Sequence, residues 1–140
     1  MRKILFRGKR IRPEGVDDAW AYGSLIQIID TTEIHDGVFT WNIHPETVGQ
    51  FTGLADKNGK EIFEGDIIKW DDCSKGKYWR FAVVEINPDI QFNCSDISEI
   101  DNIKNSTKYC FKYGNFIYKD TCNHFEIIGS IHDNPELLTK

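Results

Sequence analysis

A chain that carries Asn58-Gly59 between two short apolar runs, residues 51–54 and 60–63, has few local folds open to it. Asn-Gly tolerates positive φ at both central positions of a type I′ turn, so the two runs are expected to pair as a β-hairpin. Glu64-Gly65-Asp66 then interrupts the second run, and Asp66 is placed to fix a turn by accepting hydrogen bonds from nearby backbone N–H groups. Beyond it, Ile67-Ile68-Lys69-Trp70 reads as a strand with Ile68 and Trp70 on one face and Ile67 and Lys69 on the other.

The same period of two recurs along most of the chain. Residues 1–11 alternate Ile4 and Phe6 against Lys3, Leu5 and Arg7, with Gly8 as a candidate bulge. Residues 19–29 and 38–43 read as further strands, the first pairing with residues 1–11 as a hairpin and the second aligning Phe39, Trp41 and Ile43. Pro45-Glu46-Thr47-Val48 is suited to one short helical turn. Residues 78–86 and 90–94 are strands separated by the turn Asn87-Pro88-Asp89, and residues 107–113 and 115–119 resemble another hairpin. Residues 95–106 read either as a helix, with Ser95 as N-cap and Ile97, Ile100 and Ile103 at spacings of three, or as an insertion. Residues 125–131 form the last strand, and Asp133-Asn134-Pro135-Glu136 starts a short terminal helix. The expected fold is therefore mainly β: antiparallel sheets, an SH3-like small barrel at the centre, and one or two short helices including a C-terminal turn.

Aromatic residues at 13% supply material for a packed β core, and 140 residues suit one domain that buries roughly two thirds of its unfolded surface. The expected division of that domain is N-terminal strands over 1–49, the barrel-like centre over 50–94, a divergent insertion over 95–120, and a closing strand and short helix over 121–140. The net charge of −5 conceals an asymmetry: residues 1–12 contribute +6 and no acid, leaving −11 for the rest. Arg7, Lys9 and Arg10 are accordingly the candidate nucleic-acid contacts, since phosphate neutralisation is the chemistry a basic strand offers. The competing reading lays this strand against the protein's own acidic surface, and the overall charge favours that reading.

Other chemistry is sparse. Asp56-x-Asn58-Gly59 with Glu61, Glu64 and Asp66 has the oxygen-rich look of a calcium loop, but an EF-hand needs its glycine at the sixth position and Gly59 falls fourth. Cys110, Cys122, His124 and His132 are zinc-ligand types at spacings that match no common site. There is no nucleophile elbow, phosphate loop or H-E-x-x-H. Trp79-Arg80-Phe81, and Tyr109 to Tyr113 with Lys108 and Lys112, combine rings and cations as a base-stacking platform would, or as a β core with snorkelling cations does. No catalytic, cofactor or metal residues are assigned. No apolar stretch reaches membrane-spanning length, and no apolar run of signal-peptide length follows the basic start, so a cytoplasmic protein with reduced Cys73, Cys94, Cys110 and Cys122 is expected.

The run from Gln50 through Asp66 resembles the signature of the YopX family, proteins of bacteriophages and prophages. The opening Met-Arg-Lys-Ile-Leu-Phe-Arg-Gly-Lys-Arg with Tyr22-Gly23-Ser24, and the ending Phe125 to Ile131 with Asp133-Asn134-Pro135-Glu136-Leu137-Leu138, agree with it. The resemblance thins between residues 74 and 120 apart from residues 81–86, and it brings no catalytic residues with it. Together these features imply a non-enzymatic accessory protein of a bacterial host cell acting through protein contacts, with an unknown protein or a second copy of itself as partner. A nucleic-acid-binding module using the basic strand is the alternative.

Overall fold

The computed structural model describes residues 3–11, 19–71, 79–100, 109–116 and 123–138. The chain divides into two compact units, Met1–Gly53 and Leu54–Lys140.

In the first unit, β1 (Phe6–Lys9), β2 (Trp20–Ile28), β3 (Thr31–His35), β4 (Thr40–Asn42) and the start of β5 (Gly49–Ala55) lie in the order β4-β3-β2-β1-β5, with antiparallel pairing throughout. Residues paired across antiparallel strands share a face. One face therefore carries Ala21, Ile34 and Ile43 as a small buried core, with Phe6, Leu25, Trp41 and Val48 packed against it. The register Phe6↔Gly23 to Lys9↔Trp20 is continuous, so Gly8 marks no bulge. It is small because a Cβ there would overlap the Ile43 side chain. A three-residue 3₁₀ turn, Pro45–Thr47, follows β4, as Pro45 suggests. Thr47 Oγ1 accepts the Lys9 N–H at 2.8 Å and anchors that turn to β1.

The second unit continues from β5 through a turn into β6 (Glu61–Phe63). The hairpin is present, but its loop is longer than a two-residue type I′ turn: the Asp56 N–H to Lys60 O bond closes it, and the Gly59 N–H bonds Asp56 O, with Gly59 at φ +78°. The Asp56 carboxylate accounts for the difference. Its Oδ1 accepts the Asn58 and Lys60 N–H groups, each at 2.9 Å, so the side chain shapes a three-residue loop. Asp66 behaves as its position suggests, accepting the Phe63 N–H at 2.8 Å.

β7 (Asp66–Asp71), β8 (Trp79–Ile86), β9 (Ile90–Asn93), β10 (Cys110–Lys112) and β11 (Glu126–Ser130) form an open sheet in the order β10-β9-β8-β7-β11. The expected SH3-like barrel is not what forms, and among the described residues no sheet closes. The β7-β8-β9 meander extends outward to β10 on one side, and β11 occupies the other side of β7, where closure would have to begin. Burial also explains the open form, because the sheet is apolar on both faces. Ile68, Trp70, Ala82, Val84 and Phe92 pack on one face beneath Ile62 and Phe125. Ile67, Phe81 and Val83 pack on the other beneath Ile97 and Ile100. Each face is covered by chain from outside the sheet, which leaves nothing to gain by curling it shut.

The expected helices shrink for the same reason. Residues 95–96 form a turn, Ile97 is bridged to Leu138 and the Ser98 N–H is bonded to Leu137 O at 2.9 Å; residues 101–106 lie outside the described residues. Ile97 and Ile100 are spaced by three because they cap a sheet face. The terminal helix is a single 3₁₀ turn, Pro135–Leu137. Residues 107–113 do not pair with 115–119 where the structure is described: β10 pairs with β9, and Tyr113–Asn115 is a 3₁₀ turn. β3 escaped the sequence reading altogether, although Thr31, Thr32 and Ile34 supply the β-branched residues of a strand.

Candidate functional site

The three basic candidates on the first strand do not form one surface. Arg7 and Lys9 share a face by strand alternation, whereas Arg10, bridged to Ile43, points to the opposite one. Each cation lies over an indole: Arg7 and Lys9 over Trp20 at 4.3 and 4.7 Å, Arg10 over Trp41 at 4.2 Å. Arg7 is only 6% exposed. A phosphate track needs cations in one line and open to solvent. This arrangement instead makes the cations part of the packing, through their apolar stems and the ring faces.

The other candidates resolve into structure in the same way. The Asp56 loop is occupied by backbone: besides the two turn bonds, Oδ2 accepts the Ile127 N–H of β11 at 3.2 Å. Among the described residues no group of three or more His, Cys, Asp or Glu side chains is placed to hold a metal ion. Cys73 and Cys122 lie outside the described residues, Cys94 is buried in the core, and burial with Glu85 nearby pushes the half-buried Cys110 thiol up. Of the stacking candidates, Phe81 is buried, and Phe111 meets Trp70 edge-on with centroids 6.0 Å apart. Lys108 lies outside the described residues.

What the sequence reading missed is a surface on β2. Every second residue of that strand faces away from the small core, giving the stripe Trp20, Tyr22, Ser24, Ile26 and Ile28. Tyr22 is 45% exposed, Ile28 58%, and Ile29 at the following turn 98%. Among the described residues, eight of the nine exposed large hydrophobic side chains belong to the first unit. The stripe has a charge gradient. Arg7 and Lys9 flank its aromatic end, being paired with Tyr22 and Trp20, and Glu33 flanks its aliphatic end, being paired with Ile26. The apolar residues Ile26, Ile28 and Ile29 were the available signal, but apolar residues in strands ordinarily mean core.

A second exposed pair, Val38 and Phe39, sits at the β3–β4 turn. Asp36 builds this turn, accepting the Phe39 N–H at 2.7 Å, the Trp41 indole N–H at 2.8 Å and the Val38 N–H at 2.8 Å. These bonds, the one from Phe39 first, hold its carboxyl down at about 2.

Comparison with known proteins adds the following. No curated protein matches the chain. The family described as YopX protein matches residues 17–139. β1 lies ahead of that span, while the β2 stripe, the Asp56 loop and every strand of the second unit lie within it. The span also takes in residues 74–120, where the resemblance thins. A match of this extent, running through the loop built on Asp56, means that the chain belongs to the YopX family, a phage- and prophage-associated family.

Proposed function

We propose that this protein is a non-enzymatic contact module that docks another protein through the outer stripe of β2. The observation that carries this reading is the exposure of Tyr22, Ile26 and Ile28, alternate residues on one face of β2, continued by Ile29 at the turn. Leaving these branched aliphatic side chains partly wet forgoes a share of the roughly 1.5–3 kcal/mol that full burial of each contributes, which a partner surface recovers. The gradient along the stripe points to a second copy as the partner. In a two-fold contact, the Trp20–Lys9 end of one protomer meets the Ile28–Glu33 end of the other, so rings meet aliphatic side chains and cations meet carboxylates.

Sedimentation equilibrium across a concentration series tests this reading, with Ile28→Glu and Tyr22→Ala as variants. Association that weakens at least tenfold in both variants, with unchanged circular dichroism, is the expected result. A wild-type chain that stays monomeric at all concentrations overturns self-association. The nucleic-acid alternative has its own signature in the same experiment: binding of single- or double-stranded oligonucleotides that falls steeply with salt and is lost in Lys9→Ala.

A further inference from the structure

Asn58-Gly59 carries a chemistry that the turn itself does not use. In an asparagine followed by glycine, the next backbone nitrogen is free to attack the side-chain amide, because glycine puts no side chain beside that nitrogen. No other asparagine of the chain precedes a glycine. Asn58 and Gly59 are both exposed, and a Cβ at Gly59 would meet nothing within 4 Å, so water and hydroxide reach the peptide bond between them.

The folded loop opposes this reaction in two ways. The attacking atom is the Gly59 N, and its N–H is held by Asp56 O at 2.9 Å, so the proton that must leave is the one that closes the turn. The same bond makes Asn58 the third residue of a β-turn, where the common hydrogen-bonded types hold ψ near about 0°. At that ψ the Gly59 N eclipses the Asn58 N, whereas ring closure needs it beside Asn58 Cβ. The Asp56 carboxylate keeps the turn shut. Its Oδ1 accepts the Asn58 and Lys60 N–H groups, each at 2.9 Å, and its Oδ2 accepts the Ile127 N–H at 3.2 Å.

We propose that Asn58 is a deamidation site gated by the Asp56 loop. When the loop opens, the Gly59 N gives its proton to hydroxide or water and attacks Asn58 Cγ. The N–Cγ bond forms, the Cγ–Nδ2 bond breaks, and the side-chain nitrogen leaves as ammonia. Water then adds to one of the two carbonyls of the resulting succinimide and opens it to aspartate or isoaspartate. In net terms an amide and a water become a carboxylate and an ammonium ion, with nothing oxidised or reduced. Either product sets a second carboxylate close to Asp56, and isoaspartate also adds a methylene to the main chain of a loop whose N–H groups converge on one oxygen. Reclosure is thereby opposed, and the loop loosens from β11. The site does not depend on the β2 stripe, so either can fail without the other.

The full-length protein is incubated in warm, mildly alkaline buffer, both folded and in guanidinium chloride, and tandem mass spectrometry locates aspartate and isoaspartate. Folded Asp56→Ala is followed in parallel, with hydrogen exchange at the Gly59 amide. Deamidation is expected at Asn58, at least about tenfold slower in the folded wild type than in guanidinium. Asp56→Ala should react at least about fivefold faster than the folded wild type, the scale of two lost exposed loop hydrogen bonds. Equal rates for the folded and the unfolded wild type overturn the proposal, as does the absence of product at Asn58 in both. That comparison decides it even where Asp56→Ala does not fold. A folded Asp56→Ala whose Gly59 amide exchanges faster while Asn58 reacts no faster also overturns it.

Discussion

Asp56→Ala should destabilise the second unit more than its place in a surface turn suggests. The carboxylate is 6% exposed and accepts three backbone N–H groups: Asn58 and Lys60 at 2.9 Å within the loop, and Ile127 at 3.2 Å on β11. Asn58 and Lys60 are exposed, so water takes over as acceptor once the side chain is gone, and each loss costs about 0.5–1 kcal/mol. Ile127 is half-buried beside the core, and its orphaned N–H costs about 1–2 kcal/mol. The total is about 2–4 kcal/mol. Asp56→Asn keeps an oxygen for the two loop bonds but presents an amide to Ile127, so it should cost about 1–2 kcal/mol. Urea unfolding followed by circular dichroism measures both. With a slope of about 1.5–2 kcal/mol/M, Asp56→Ala lowers the midpoint by about 1–2.7 M. Hydrogen exchange at the Ile127 amide locates the effect. A loss below about 0.5 kcal/mol, with Ile127 protection unchanged, would refute the view that this side chain ties the loop to β11.

Two further outcomes follow from the first unit. Gly8→Ala drives a methyl group into Ile43 and should cost about 1–3 kcal/mol in the same unfolding assay. Asp36 titrates at about 2 when folded, below the aspartate value of about 3.9 in an unfolded chain. Its contribution to stability is therefore complete above the unfolded value and lost as pH falls through about 2. An NMR titration that places its midpoint near 3.9, or that leaves the Val38 and Phe39 amides and the Trp41 indole undisturbed through the transition, would show that the turn does not depend on the ionised carboxylate.

Much of the second unit was legible because its strands are defined by neighbouring residues. Ile68 and Trp70 share a face as alternation requires, and the turn at Asn87-Pro88-Asp89 separates β8 from β9. The helix read from Ile97, Ile100 and Ile103 failed because a spacing of three describes both a helix face and a chain laid across a sheet. The β2 stripe was hidden for a related reason: Ile26 and Ile28 have core chemistry, and only the position of the rest of the chain reveals that they stay exposed. The basic strand was visible as composition, but composition does not say that Arg10 faces away from Arg7 and Lys9 or that each cation rests on an indole.

Local chemistry thus determined most of the strand segments, where the main turns fall, and that Asp66 serves backbone. Side-chain alternation and turn preference act over a few residues, so they can be read in order along the chain. The order of strands was decided only by the tertiary structure. β11 joins β7 from some sixty residues away in the chain, β10 extends the meander outward, and covering chain on both faces keeps the sheet open. Such partners are chosen by burial summed over the whole unit, and no short stretch of sequence contains that sum.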